Sequence, residues 1–213
     1  MAKKPPKPGR KPRQKADPRD RVIDAALELA LARGWQPLSL AEIADGAGMT
    51  LSEMRAIFAS KAAILNGLTR RTDERVLTEG KADGSSPRDR LFDVLMRRFD
   101  VLEPHRDALR VIARDIVFDP LAALSQGPQL LCSMAWMLET AGLNSGGPVG
   151  AIRTKGLLVI YVSALGTWLG DDSVDLAKTM AVLDRGLASA ERLADIFCRP
   201  NNVESDTPQP GKG

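Results

Sequence analysis

The chain has 213 residues, of which 44% are hydrophobic, enough for one substantial core or two small ones. Aromatic residues make up only 4%, while Ala and Leu recur throughout, so the composition favours helices over strands and predicts an all-α fold. Cys132 and Cys198 form no CxxC motif and no signal-like segment opens the chain, so we expect a cytoplasmic protein and not a secreted, disulfide-stabilised one.

The net charge of +3 comes from the N-terminal tail. Residues 1–15 contain seven Lys and Arg and no acid, and without them the rest of the chain has a net charge of −4. A Pro-rich basic segment of this kind cannot bury a core, so residues 1–16 are predicted to be a disordered tail. The tail is compatible with an arm that follows DNA phosphates and equally with a solubilising extension.

The first helix is predicted to run from Pro18 to about Arg33. Asp17 followed by Pro18 is the order expected for a helix N-cap and the first helical position. Apolar residues then recur at the spacing of one helical face, and Gly34 is a typical stop signal. These signals together predict an amphipathic helix with one buried side.

Two short helices are predicted next, each beginning with a capping box. Ser39 with Glu42 starts the second helix, and Thr50 with Glu53 starts the third. Gly48 supplies the turn between them. Two short helices joined by such a turn are the helix-turn-helix arrangement, whose second helix enters the major groove of DNA.

Residues 38–65 resemble the DNA-binding unit of the TetR family of regulators. The resemblance rests on Leu40, Ile43, Ala44, Ala47, Gly48, Met49 and Thr50, followed by Met54, Phe58, Ser60, Lys61 and Leu65. In that family the start of the third helix reads bases, and the Lys that begins the fourth helix contacts a phosphate. The resemblance therefore implies that DNA is contacted by Thr50, Leu51, Ser52, Arg55 and Lys61.

The third helix departs from the family pattern at three positions. Ser52 replaces the usual Gly, Arg55 replaces the usual Tyr, and Glu53 places an acid among the expected DNA contacts. Residues 16–61 also contain seven acids against five bases, whereas DNA-binding surfaces are normally basic. The capping box gives Glu53 a structural role. The sequence is therefore compatible with a protein that binds DNA and with one that has lost DNA binding.

The remainder is predicted to form a larger helical body, giving about nine helices in all. After a fourth helix that starts behind Ser60, further helices are predicted from Pro87 to before Pro104, over residues 109–117, and from Pro128 after a short turn at 121–124. The predicted domains are a tail at 1–16, a helix-turn-helix head at 17–66, a ligand-binding and dimerisation body at 67–198, and a second disordered tail at 199–213.

The last two predicted helices are the most apolar part of the chain. Apolar side chains cover nearly all of the helix around residues 157–169 and form a stripe along residues 176–193. Such helices are either deeply buried or paired with a second subunit. The resemblance to the TetR family, which pairs these helices across a dimer, implies a homodimer. The run from Gly156 to Leu169 is too short for a bilayer, so we expect no integral membrane association.

The sequence contains no recognisable catalytic or metal-binding motif. His105 is the single histidine, and the HExxH, GxSxG and GxxxxGK[ST] patterns are absent. We therefore expect a protein that is not an enzyme and that needs neither cofactor nor metal. A small apolar effector is a candidate ligand. Its cavity in the body would be lined by Met134, Trp136, Met137, Trp168 and Met180, for which ordinary core packing is the alternative.

The C-terminal half also resembles the TetR-fold accessory family of ubiquinone biosynthesis. The resemblance rests on segment 87–99, on the run 133–142 with Trp136, and on Trp168, Asp171, Asp172, Ser173, Asp175, Lys178, Thr179, Met180, Leu183, Asp184 and Arg185. Members of that family bind isoprenoid lipid and do not read DNA. Two of their features, an aromatic pair near Gly150 and an amphipathic helix after Phe197, are missing. A lipid-binding accessory protein is thus the alternative to a DNA-binding regulator.

Overall fold

The structure is a computed structural model that describes residues 17–117 and 120–198. Within these ranges all regular structure is helical, with nine α-helices, one 3₁₀ turn and no strand. The predicted all-α class is confirmed. The two predicted tails, 1–16 and 199–213, lie outside the described residues.

Nine helices follow one another in the order predicted, with one exception described below. They are α1 Pro18–Arg33, α2 Leu40–Gly46, α3 Leu51–Ile57, α4 Lys61–Thr78, α5 Pro87–Leu102, α6 Arg106–Val117, α7 Pro120–Thr140, α8 Gly147–Leu169 and α9 Ala177–Cys198. The 3₁₀ turn Glu103–His105 directly precedes α6. The chain divides into two compact units: the first runs to Glu74 and includes Leu102–Leu130, and the second contains Arg75–Val101 and the described residues from Leu131 onward.

Helix α1 is the centre of the first unit, where it packs against α2, α3 and α6. Its apolar face, predicted from the spacing, is buried together with the inner faces of the neighbouring helices. The core comprises Val22, Ile23, Ala25, Ala26, Leu27, Ala30, Trp35, Leu38, Ile43, Ala44, Ala47, Met54, Phe58, Ile64, Leu68, Ala108 and Ile112. Because α6 supplies the last two, it packs with the helix-turn-helix. The predicted domain boundary at residues 66 and 67 stays a prediction, since packing alone does not define a separately folding domain.

The local signals that predicted the first three helices are present as hydrogen bonds. The carboxylate of Asp17 accepts a backbone N–H in the first turn of α1 at 2.9 Å. Both capping boxes are complete, Ser39 with Glu42 at α2 and Thr50 with Glu53 at α3. Each cap satisfies N–H groups that the first turn of a helix leaves unpaired. The predicted starts of these three helices are therefore confirmed.

Helix α7 corrects the prediction of a turn at 121–124 with a new helix at Pro128. The structure has one continuous helix that begins at Pro120 and contains Pro128 in its interior. An internal proline removes one backbone hydrogen bond and costs about 3 kcal/mol. Pro128 itself is exposed. The sequence signal was assigned to the wrong proline, because Pro120 is the one at the helix start.

The second unit has an aromatic core. The ring of Phe99 stacks on those of Tyr161 and Trp168, with centroids 5.7 and 5.5 Å apart. The guanidinium carbon of Arg98 lies 5.1 Å from the centre of the Tyr161 ring, a cation–π contact within the buried interior. This cluster ties α5 to α8 inside the second unit.

The loop between α8 and α9 is organised by the carboxylate of Asp171, which is fully buried. One oxygen accepts the hydroxyl and backbone N–H of Ser173, and the other accepts the hydroxyl and backbone N–H of Thr179 at 2.8 and 2.9 Å. The Ser173 hydroxyl, followed by the Thr179 groups, holds the pKa of Asp171 well below its usual range against the opposing effect of burial. The charged carboxylate therefore fixes the start of α9.

Candidate nucleic-acid interface

Helix α3 presents three chemically different side chains to solvent. Met54 is buried and anchors the helix, whereas Leu51, Ser52 and Arg55 are exposed. Leu51 is 51% exposed. An apolar group, a hydroxyl and a guanidinium are the kinds of group that contact base edges in a major groove.

Thr50 and Glu53 are engaged with each other at the start of α3. The Thr50 backbone N–H and hydroxyl donate to one Glu53 carboxylate oxygen at 2.7 and 2.8 Å, and the Glu53 backbone N–H donates to the Thr50 hydroxyl at 3.2 Å. The Thr50 backbone hydrogen bond is the main reason that the pKa of Glu53 is lowered. The acid that departs from the family pattern is thus used as a cap, where a helix N-terminus favours negative charge.

Other acids near the helix-turn-helix are paired within the first unit. Asp20 and Asp24 of α1 contact one guanidinium nitrogen of Arg71 at 3.4 and 2.6 Å. The Glu42 carboxylate contacts Arg33 at 3.0 Å in addition to its capping box. Arg71 lies outside residues 16–61, so the count of seven acids to five bases leaves out a base that these acids contact. The head is therefore less acidic towards a ligand than its sequence indicates.

The half-buried side chain of Lys61 is bonded to the loop between α1 and α2. Its ammonium donates to the carbonyl oxygens of Trp35, Gln36 and Leu38 at 2.6, 3.2 and 3.0 Å, and it lies 4.8 Å from the centre of the Trp35 ring. Burial lowers the pKa of Lys61, while the negative charge of Asp115 acts in the opposite direction. An ammonium has three N–H donors, so these carbonyls occupy all of them. The phosphate contact that the resemblance implies stays a prediction.

The loop between α1 and α2 is held from its other side by Asp115 of α6. One carboxylate oxygen accepts the backbone N–H groups of Trp35 and Gln36 at 2.6 and 2.9 Å. Gly34 enters this loop with φ +87°, a conformation that favours glycine. Sequence reasoning missed Asp115, because no local spacing relates it to a loop some 80 residues earlier. The loop before α2 is thus fixed by α4 and α6 together.

Arg21 of α1 is a second residue that the sequence did not indicate. One of its guanidinium nitrogens lies 4.0 Å from the position that a Cβ on Gly48 would occupy, in the turn of the helix-turn-helix. Its charge also contributes, after the Thr50 hydrogen bonds, to the lowered pKa of Glu53. The side chain is exposed beside the turn and α3, so it adds a positive charge to this surface.

The five candidate effector residues differ in burial. Met134, Met137 and Trp168 are fully buried in the second unit, and Met180 is half-buried. Trp136 is 54% exposed. The assignment of these five residues to an effector cavity stays a prediction.

Helix α8 exposes a row of apolar side chains, here called the α8 apolar face. They are Val149, Ile152, Val159 and Val162, with exposures of 56, 71, 70 and 49%. By length and composition α8 would be able to cross a membrane, and 28% of its apolar window is buried, although a helix of a water-soluble protein passes the same test. A contiguous apolar patch would be a candidate interaction surface, and here the exposed Lys155 lies between Ile152 and Val159.

Within 17–117 and 120–198, no group of three or more His, Cys, Asp or Glu side chains is placed to hold a metal ion. The expectation that the protein is not an enzyme stays a prediction.

Comparison with known proteins identifies the head and the fold. Residues 22–68 match the family model of bacterial regulatory proteins of the tetR family, and no curated protein matches the chain significantly. The TetR transcriptional regulator from Nitrosomonas europaea ATCC 19718 is 24% identical, with 83% of this chain and 99% of that chain covered and a TM-score of 0.65. A TetR transcriptional regulator from Rhodococcus sp. RHA1 is 18% identical, with coverage of 81% and 94% and a TM-score of 0.61.

A tetR-family regulator from Streptomyces coelicolor is similar at 16% identity, covering 84% of this chain and 85% of that chain with a TM-score of 0.54. These likenesses confirm the TetR-like fold that the sequence predicted, and the family match confirms the identification of the head. The resemblance of the C-terminal half to the ubiquinone accessory family finds no support in them.

Proposed function

We propose that this chain, which combines a tetR-family head with a TetR-like fold, is a dimeric cytoplasmic transcriptional regulator that binds DNA and has no enzymatic activity. The observation that carries the proposal is the state of α3. Leu51, Ser52 and Arg55 are exposed on it, while Glu53 is engaged in its own cap. Glu53, the acid that is unfavourable for DNA binding, thus has a structural role as a cap. The exposed groups are of the kind that contact base edges in a major groove.

Each side chain on the proposed surface has a distinct role. Arg55 donates to guanine or to a phosphate, Leu51 contacts a thymine methyl group, and Ser52 hydrogen-bonds a base or a phosphate. Thr50 contributes through the helix start that it caps. Arg21 adds a phosphate contact beside the turn.

Lys61 supports this surface from within. Its three carbonyl partners lie in the loop that leads into α2. It therefore acts on DNA affinity chiefly by fixing the first helix of the helix-turn-helix.

The proposed dimer is formed through the α8 apolar face. A second copy of the chain would cover these side chains by symmetry, as in most soluble homo-oligomers. Two heads would then contact half-sites about one helical turn of DNA apart, so the operator is expected to be a near-palindrome. A small apolar effector bound in the body, with Met134, Met137, Trp168 and Met180 as candidate contacts, would shift the spacing of the heads.

The test is a fluorescence titration of the protein against DNA from its own upstream region, repeated over a salt series. Arg55→Ala should weaken binding by roughly 1–3 kcal/mol, and if Arg55 contacts a phosphate it should also lower the slope of log affinity against log salt by about 1. Arg192→Ala, an exposed arginine of α9, is the matched control and should leave both quantities unchanged.

Equal affinity of wild type and Arg55→Ala would contradict the assignment of Arg55. The same weak affinity for unrelated DNA, lost at moderate salt, would contradict the function itself, because that behaviour is attraction to any polyanion.

A further inference from the structure

The solvent-facing side of α3 carries one large apolar side chain and one cation. Leu51, Ser52 and Arg55 are exposed there, whereas Met54 is buried in the core of the first unit. The Glu53 carboxylate is exposed as well, but it accepts the hydrogen bonds of its capping box. An aliphatic group, a hydroxyl and a guanidinium therefore remain for contact with a ligand.

The guanidinium of Arg55 is not held by the protein. Among the residues that the structure describes, it forms no hydrogen bond and no ion pair. Arg33 and Arg71 of the same unit differ in this respect, because they contact the carboxylates of Glu42 and Asp24 at 3.0 and 2.6 Å. All five N–H donors of Arg55 are thus available to a ligand.

Leu51 and Arg55 are neighbours on one side of α3, because they lie four residues apart. Their positions are separated by about 6 Å along the helix axis, since each residue of a helix rises about 1.5 Å. Successive bases of one DNA strand are about 3.4 Å apart. In a helix that lies in the major groove, these two side chains therefore contact bases no more than two steps apart.

The two side chains match different groups of the major groove. A guanidinium pairs with O6 and N7 of guanine through two hydrogen bonds. An aliphatic side chain forms no hydrogen bond and packs instead on a methyl group, which in this groove is the 5-methyl group of thymine. The base 5-methylcytosine carries the same methyl group at the same ring position. Uracil and unmethylated cytosine carry a hydrogen there and offer less apolar area to cover.

We propose that α3 recognises a 5-methylpyrimidine and a guanine within two base steps of each other, with Leu51 packed on the methyl group and Arg55 bonded to the guanine. The inference rests on the proposed function and specifies the bases that this surface selects. Leu51 recognises the methyl group and not the hydrogen-bonding pattern of the base. Methylation of a cytosine at this position therefore substitutes for a thymine, and binding to a site with cytosine there depends on its methylation.

The experiment begins with the full-length protein and a library of random duplex DNA, from which bound duplexes are selected at moderate salt. Each half-site of the enriched sequence should contain a thymine and a guanine within two steps. Each thymine of the selected duplex is then replaced in turn by deoxyuridine, which removes only the methyl group. At the contacted position the affinity should fall about 4-fold, the loss expected for one buried methyl group.

The source of the methyl group is tested at the same position. A duplex with 5-methylcytosine paired to guanine should bind about 4-fold more tightly than the duplex with unmethylated cytosine. Whichever of the thymine and 5-methylcytosine duplexes binds more tightly identifies the base to which the surface is better suited. Equal affinity for methylated and unmethylated cytosine would overturn recognition of the methyl group.

Two variants assign the contacts to their side chains. In Leu51→Ala the thymine and deoxyuridine duplexes should bind equally, whereas Leu31→Ala, which truncates a leucine of α1 with 55% exposure, should keep the 4-fold difference. Replacing the contacted guanine with 7-deazaguanine, which lacks the N7 acceptor, should weaken wild-type binding at least about 5-fold. In Arg55→Ala the same replacement should have no effect, whereas Arg192→Ala should respond as the wild type does.

Each failure has a separate meaning. Equal wild-type affinity for thymine and deoxyuridine at every position would overturn the inference and leave the proposed function intact, and this comparison needs no variant that might fold poorly. A methyl effect that persists in Leu51→Ala would overturn the assignment to Leu51. A library that yields no enriched sequence would overturn the proposed function, and the inference with it.

Discussion

The helix-turn-helix and the helix α8 use their apolar residues in opposite ways. In the head, α1, α2 and α3 bury most of their apolar side chains in one core, with Leu31 and Leu51 exposed, and capping residues pair polar groups at the helix starts. In α8 the inner face packs through Leu157, Tyr161 and Trp168, while the α8 apolar face stays in solvent. The core of the head is thus buried within one chain, whereas the α8 apolar face is the surface that the proposed dimer would cover.

Apolar burial in the head stabilises the fold of the single chain, whereas burial of the α8 apolar face would stabilise the proposed dimer. Apolar area contributes about 25 cal/mol per Å² when it leaves water, so the head has already gained this energy on folding. The side chains of the α8 apolar face gain it only on association. Changes at the head should thus alter folding and DNA contact, and changes on α8 should alter the number of subunits.

The largest expected effect follows from charging the α8 apolar face. Ile152→Asp combined with Val159→Asp places two carboxylates where two subunits are proposed to meet, and burying an unpaired charge is costly. The dissociation constant of the dimer should rise at least about 100-fold, measured by analytical ultracentrifugation over a protein concentration series. The helix content in circular dichroism should stay the same, since both positions are exposed in the single chain.

Val174→Asp is the matched control for the dimer. Val174 is a fully exposed apolar residue of the loop between α8 and α9, outside the α8 apolar face. It receives the same charge and should leave the dimer intact. An unchanged dimer in the α8 double variant would show that the subunits meet elsewhere, and a monomeric wild type would remove the proposed dimer altogether.

A smaller effect is expected at Lys61. It distinguishes a role in ordering the α1–α2 loop from a direct contact with a DNA phosphate. Lys61→Met keeps the chain length but leaves three loop carbonyls without their ammonium donor. Hydrogen bonds of a charged group are worth about 1.5–3 kcal/mol, so DNA affinity should fall by roughly 10-fold through a less ordered loop. The slope of log affinity against log salt should stay at the wild-type value, because no phosphate contact is lost.

Lys178→Met, an exposed lysine of α9, is the control and should change neither affinity nor slope. A slope reduced by about 1 in Lys61→Met would show that Lys61 contacts a phosphate, as in the family that the head resembles. In that case the Lys61 ammonium would have to exchange at least one loop carbonyl for a phosphate when DNA binds.

The starts of the first three helices could be predicted because their signals are local. A capping box joins residues three apart, so Ser39 with Glu42 and Thr50 with Glu53 are visible in the sequence and recur as hydrogen bonds. The continuity of α7 could not be predicted, because a proline signals a helix start and an interruption alike. Whether a proline begins or interrupts a helix depends on its neighbours and its exposure in the folded chain.

The candidate site was predictable only in part. The exposed residues of α3 follow from their helix position, which is again local. The roles of Lys61 and Asp115 depend on contacts with the α1–α2 loop, and Asp115 reaches it across some 80 residues of sequence. The pairing of Asp20 and Asp24 with Arg71 is also long-range, so a charge count over the head alone overstates its acidity.

The smallest expected effect concerns the pH dependence of the loop between α8 and α9. The pKa of Asp171 is lowered in the folded state by the Ser173 hydroxyl and the Thr179 groups, so its stabilisation is complete above the unfolded pKa of about 3.9 and is lost as the pH falls through the lower folded value. In urea titrations between pH 5 and 2.5, the stability difference between wild type and Asp171→Asn should therefore shrink below about pH 4. Asp175→Asn removes the same charge from an exposed position and should show no such convergence. A difference for Asp171→Asn that stays constant with pH would mean that the hydrogen bonds do not favour the charged form, and that α9 begins where it does because of the packing of α8 and α9.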